Sequence, residues 1–180
     1  VYENIDGKWK QIGDGFEQKT TTVNEWQPTK NIDISSDGNL LVIGDTSAET
    51  ISTYKWEDQK WNILGSQLIS ENEEDHFGSS ISLSHDGKTL AVGSTGNASN
   101  GEYSGSVRIY KLKDDNWIQI GSDINGEYKS DSFGWSLKLS SDGNLIAIGA
   151  PYYSAGNPTK THIKDNGRPT LITSQTHSIG

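Results

Sequence analysis

Two stretches decide the reading. One is "FGSSISLSHDGKTLAVGS", Phe77 to Ser94, and the other is "FGWSLKLSSDGNLIAIGA", Phe133 to Ala150. Within each, apolar residues alternate at first: Ile81 and Leu83, then Leu137 and Leu139. A period of two is the mark of a strand with one face buried. Asp86–Gly87 and Asp142–Gly143 follow, a hairpin signal because glycine accepts positive φ. Then comes an unbroken apolar run, "TLAVG" or "NLIAIG", which reads as a strand buried on both faces. Val42, Ala91 and Ala147 are equivalent small residues in these runs, and they leave room for another sheet to approach.

The repetition extends beyond these words. Tyr2, Tyr54 and Tyr110 recur at spacings of 52 and 56, and so do Trp9, Trp61 and Trp117, and Gly13, Gly65 and Gly121. A weaker copy of the quoted stretch stands at Asn31 to Gly44, "NIDISSDGNLLVIG". Each unit therefore reads as four antiparallel strands. The third is "TISTYKW" or "SVRIYKL", and the fourth is led by the recurring Trp. The fold class is all-β, a β-propeller-like array of four-stranded blades, about three blades' worth. A ring of three would close poorly, since propellers typically have four to eight blades. The expectation is an excerpt of a larger propeller, or an array completed by other blades or copies. Residues 1–151 hold the repeats. Residues 152–180, with Gly156, Pro158, Gly167 and Pro169, read as an irregular, partly disordered tail.

Composition narrows the function classes. The 180 residues carry a net charge of −9 and no basic block, which argues against nucleic acid as a partner. No apolar run is long enough for a membrane helix, so membrane insertion is not expected. Without cysteine, a disulfide framework and a Cys-based zinc site are excluded. The chain also lacks Met and begins at Val1 inside a repeat, which reads as a processed product or fragment.

Phe77–Gly78 with "LAVGS", and Phe133–Gly134 with "IAIGAP", resemble the FG-GAP repeat, the blade of the integrin-α type of propeller. "SGSVRIY" at Ser104 to Tyr110 is similar to the strand that follows in such repeats. The resemblance runs from Val1 to Pro151. It implies adhesion-like binding and, in many members, a calcium loop of the D-x-D-x-D-G kind. "SSDGN" and "SHDGK" offer one Asp each where calcium needs six to eight oxygens, so no metal or other cofactor is expected. The first copy also lacks Phe-Gly, with Trp26 or Pro28 near that place.

Catalytic signals are weak. Ser84-His85-Asp86 holds triad residue types, yet adjacency in sequence is not triad geometry, and the string reads as a hairpin tip. The acidic run "ENEEDHFG", Glu71 to Gly78, reads as a solvated connection, and the recurring Trp as packing. Asn97-Ala98-Ser99 fits a glycosylation sequon. Binding residues ride on loops of rigid scaffolds. "STGNASNGEYSG" (Ser94–Gly105), "NGEYKSD" (Asn125–Asp131) and "PYYSAGNP" (Pro151–Pro158) are expected on one face. They supply Asn100, Glu102, Tyr103, Glu127, Tyr128, Tyr152 and Tyr153 as candidate ligand-binding residues. The expected function is a non-enzymatic binding or structural module for a protein or carbohydrate ligand, extracellular or at a cell or particle surface. A propeller-borne polysaccharide hydrolase or lyase is one alternative. An intracellular scaffold of the WD-repeat kind is another, although the signature pairs of that repeat are missing.

Overall fold

The computed structural model describes residues 1–16 and 30–151, together with the backbone of two later strands at 160–165 and 168–173. A hairpin comes first, β1 (Tyr2–Ile5) and β2 (Lys8–Gln11). The first blade is β3 (Lys30–Ile34), β4 (Leu40–Asp45), β5 (Thr50–Glu57) and β6 (Lys60–Ile63), with β7 (Leu68–Ile69) added to β5. The second is β8 (Phe77–Leu83), β9 (Thr89–Ser94), β10 (Ser106–Lys113) and β11 (Asn116–Gln119), with β12 (Ile124–Asn125) added to β10. The third is β13 (Ser136–Leu139), β14 (Leu145–Gly149), β15 (Lys160–Asp165) and β16 (Arg168–Thr173). All these strand pairs are antiparallel. The all-β array of propeller-type blades expected from the repeat is what the chain forms.

Two features differ from the expectation. The third unit has four strands, because β15 and β16 lie within the stretch read as an irregular tail. The overlooked signal is Asn166–Gly167, a hairpin dipeptide standing between Asp165 and Arg168, which pair in register. Tyr152, Tyr153 and the rest of the tail lie outside the described residues. Phe133–Gly134 also precede the third blade's first strand instead of opening it. Phe133 is joined to Gly105 by an isolated bridge.

The cores lie between blades. One cluster, including Leu40, Val42, Ile51, Phe77, Leu90 and Trp117, fills the seam between the first two blades. The other, Ala91, Val107, Phe133, Leu139, Ile146 and Ile148, fills the seam between the second and third. The central strands β4 and β9 are buried along their whole length, as their unbroken apolar runs require.

The Phe-Gly and Gly-Ala words are two halves of one contact. Gly78, at φ +89°, sits against Gly44 of the preceding blade, and a Cβ on it would lie 3.4 Å from the Gly44 Cα. Gly134, at φ +90°, sits against Gly93 in the same way, 3.3 Å from its Cα. Only glycine tolerates both the positive φ and the close backbone approach. A polar side chain locks each seam beside these glycines. The Asn31 amide donates to the Gly78 carbonyl at 2.9 Å, and the equivalent Ser80 hydroxyl donates to the Gly134 carbonyl at 2.5 Å.

The hairpin tips form a second lock. Ser35, Ser84 and Ser140 hydroxyls donate to Asp37, Asp86 and Asp142 two residues on, at 2.6, 2.7 and 2.5 Å. Ser84-His85-Asp86 is therefore one copy of a turn found in all three blades. Each tip also leans on its neighbour: Ser36 N–H donates to the His85 carbonyl and His85 N–H to the Ser141 carbonyl. The serine hydroxyl is the main cause holding all three carboxyls below the ordinary 3.8, with Asp142 at about 2. A depressed carboxyl stabilises the fold fully above its ordinary value, and that contribution disappears as pH falls through the folded value. Thermal midpoints should therefore fall as pH drops from about 4 to about 2. An Asp142→Ala variant should show a shallower fall over that window.

Candidate functional site

The blade repeat fixes where variable loops can grow. The β4–β5 connection has four residues, 46–49, and the equivalent β9–β10 connection has eleven, 95–105. That longer loop is packed against two blade-to-blade connections, at 70–76 and 126–132. Gly126 and Phe133 donate backbone N–H groups to the carbonyls of Gly105 and Ser104, at 2.8 and 3.0 Å. Ser130 and Ser132 donate to the carbonyls of Glu102 and Tyr103, both at 2.9 Å. On the other side, Gly96 N–H donates to the Asp75 carbonyl at 2.9 Å. The Asn97 amide reaches both oxygens of the buried Asp75 carboxylate, at 3.4 and 3.3 Å.

Five of the seven candidate residues fall on this platform. Asn100 is a strut, since its amide donates to the Gly126 carbonyl at 2.7 Å. Glu102 pairs with Lys129 at 2.8 Å, both side chains exposed. The mutual hydrogen bond holds the Glu102 carboxyl below and the Lys129 ammonium above their ordinary values. Tyr103 and Tyr128 are 43% and 44% exposed, and Glu127 is exposed beside Tyr128. The His76 ring lies 6.2 Å from that of Tyr103. Tyr103 takes φ +56°. Positive φ also occurs at Glu74 and His76, and at their equivalents Ser130 and Ser132, so at those positions it belongs to the repeat. Tyr103 stands in the part of the loop that the first blade lacks. There the unusual backbone belongs to the insertion itself.

Sequence reasoning passed over the residues that hold the platform. Asp75 and Asn97 are buried, so the sequon asparagine is engaged with a carboxylate instead of open to a glycan. Arg108, buried on β10, pairs with Asp123 at 2.8 Å and Glu71 at 3.1 Å and ties the base of the connections to the sheet. A lone Arg in a strand otherwise reading "SVRIYKL" was the available signal. One blade earlier, Glu49, Glu71, Glu73 and Glu74 line an open cleft of about 360 Å³ with Ser47, Ile69 and Asn72. Among the described residues, no three His, Asp or Glu side chains converge as a metal-ligand set.

The FG-GAP repeat model matches residues 71–110. The resemblance read at Phe77–Gly78 is thus borne out over the second blade. No curated protein matches the chain. Among solved structures, a candidate 6-phosphogluconolactonase from Bacteroides uniformis is similar with a TM-score of 0.58 at 18% identity, over 93% of this chain and 47% of that one. Another, from Bacteroides fragilis, gives 0.54 at 14%, over 79% and 39%. A functionally unknown protein from Desulfotomaculum acetoxidans gives 0.51 at 15%, over 78% and 40%. The chain spans less than half the length of each. At such identities the likeness shows the fold alone.

Proposed function

We propose that these propeller blades form a non-enzymatic binding module whose loop face takes a protein or glycan ligand at an extracellular or cell-surface location. The observation behind this reading is the platform of three stitched connections carrying Tyr103 and Tyr128. Half-exposed tyrosines present large amphipathic area at little cost in side-chain entropy. The backbone bonds to Glu102, Tyr103 and Ser104 supply the rigidity that keeps the ordering cost of binding low. The Glu102–Lys129 pair adds one charge of each sign at the rim, where it favours selectivity over affinity.

A glycan array probed with the whole chain, followed by titration of any captured glycan, tests the carbohydrate form of this reading. Tyr103→Ala and Tyr128→Ala should each weaken binding by about tenfold, roughly 1.4 kcal/mol. Their thermal unfolding should stay unchanged. Binding that survives both substitutions places the ligand elsewhere. The Bacteroides structures are named for a lactonase activity, which supplies a second, enzymatic reading to test. Assaying hydrolysis of 6-phosphogluconolactone by the chain separates the two, since a binding module leaves the uncatalysed rate unaltered.

A further inference from the structure

The second blade's long loop feeds two carbonyls to the connection that follows it. Glu102 accepts from the Ser130 N–H and Tyr103 from the Ser132 N–H. The repeat puts Glu74 and His76 where Ser130 and Ser132 stand, with positive φ at all four. The first blade has only the turn 46–49 to serve them. Glu49, at the end of that turn, compensates for one lost bond. Its carbonyl accepts from the Ser70 N–H, as Gly105 does from Gly126. Its side-chain Oε1 accepts from the His76 N–H at 3.3 Å, replacing the Tyr103 carbonyl. The counterpart of the Glu102 carbonyl is missing, and the Glu74 N–H has no hydrogen-bond partner among the described residues. Glu49 Oε2 is enclosed and also has no partner. Both residues line the open cleft of about 360 Å³.

The walls of that cleft define what suits it. Glu73 and Glu74 are exposed on it, whereas Glu71 is paired with Arg108. No lysine or arginine lines it, and Ile69, 66% exposed, supplies an apolar wall. Among the described residues no three carboxylates converge as a metal-ligand set, so the negative charge is spread out. A spread acidic wall beside an apolar one fits a lysine side chain. Its stem lies along apolar surface while its ammonium, a compact charge with rotatable donors, stays at the carboxylates.

We propose that this cleft binds a lysine-bearing segment of a protein ligand, in the place that the second blade fills with its own loop. A ligand carbonyl would accept from the Glu74 N–H, as Glu102 does from Ser130. The ammonium would lie against the Glu49 and Glu73 carboxylates. The terminal torsion of a glutamate is soft, so Oε2 can turn to meet it. The chain's net charge of −9 favours the approach of a basic partner. The inference rests on the loop face being the binding face, but it uses neither Tyr103 nor Tyr128.

The test titrates the isotope-labelled whole chain with acetyl-Gly-Lys-Gly-amide and, in parallel, with the same peptide carrying acetyl-lysine. Saturable amide shifts at residues 47–49 and 69–76 are expected with the lysine peptide. The neutral peptide should bind about tenfold more weakly, and added salt should weaken the lysine peptide. Glu49→Gln keeps an oxygen for the His76 N–H and removes the charge, and Glu73→Lys changes an exposed group. Each should lower affinity for the lysine peptide about tenfold. No saturable shift, equal binding of the two peptides, or shifts centred on another region overturns the proposal. Glycan capture through Tyr103 and Tyr128 without any response to the lysine peptide sinks this inference and leaves the tyrosine platform standing. A lysine-peptide response in the cleft that accompanies glycan binding indifferent to both tyrosines does the reverse.

Discussion

Replacing Trp117 with alanine lowers the unfolding free energy by about 3–5 kcal/mol, the range for deleting a large buried aromatic. Trp117 is 7% exposed and lies in the first seam, where its indole N–H donates to Thr53 Oγ1 of the preceding blade at 2.8 Å. The substitution opens a cavity between two sheets and removes the partner of a buried hydroxyl. Trp117→Phe keeps much of the area and loses the hydrogen bond, and should cost about 1–2 kcal/mol. Trp9 occupies the same strand position but is 70% exposed, and its alanine variant should stay within about 0.5 kcal/mol of the parent. Urea denaturation of the three variants checks the series. Equal losses at Trp117 and Trp9 would falsify the assignment of the first seam as the main core.

Gly93→Ala should cost about 3 kcal/mol, the upper part of the range for overpacking. The added methyl would meet the carbonyl oxygen of Gly134 and the Ser80 hydroxyl. The first is backbone and cannot turn aside, so the two blades must separate locally. Gly149→Ala puts the same methyl at the same repeat position. There the one tight contact is Ser136 Oγ, at 2.5 Å, a side chain that can rotate away, and the Ser136 carbonyl at 3.6 Å is ordinary van der Waals contact. That variant should lie within about 1 kcal/mol of the parent. The comparison holds chemistry and strand position constant and varies only the neighbour. Denaturation midpoints that shift equally in both variants would mean that the glycine pair does not set the blade spacing.

Much of the scaffold was legible because the repeat states it three times. Alternation in "SISL" and "SLKL", Asp-Gly at the tips and unbroken runs at 40–44 and 89–93 each point to the strands that form. What sequence could not give is which copy of a position is buried. Trp9, Trp61 and Trp117 stand at equivalent strand positions, yet Trp9 is exposed while Trp117 is buried against the preceding blade. The Trp61 indole N–H is buried without a partner among the described residues. Val1 stands where Thr53 serves Trp117, and valine has no hydroxyl to offer. The loop candidates were legible as exposed tyrosines and amides. Their supports, Asp75 with Asn97 and Arg108 with Asp123, were not. Those pairs join residues 22 and 15 apart through packing that no local pattern records.

The hydrogen bonds between tips carry one more implication. The His85 backbone accepts from Ser36 and donates to Ser141, so among the described residues the tip of the second blade is held from both sides. Coupling of this kind is one-dimensional, each unit being held only by its neighbours. The loop platform is stitched across the second seam, so its geometry depends on the contact between the second and third blades.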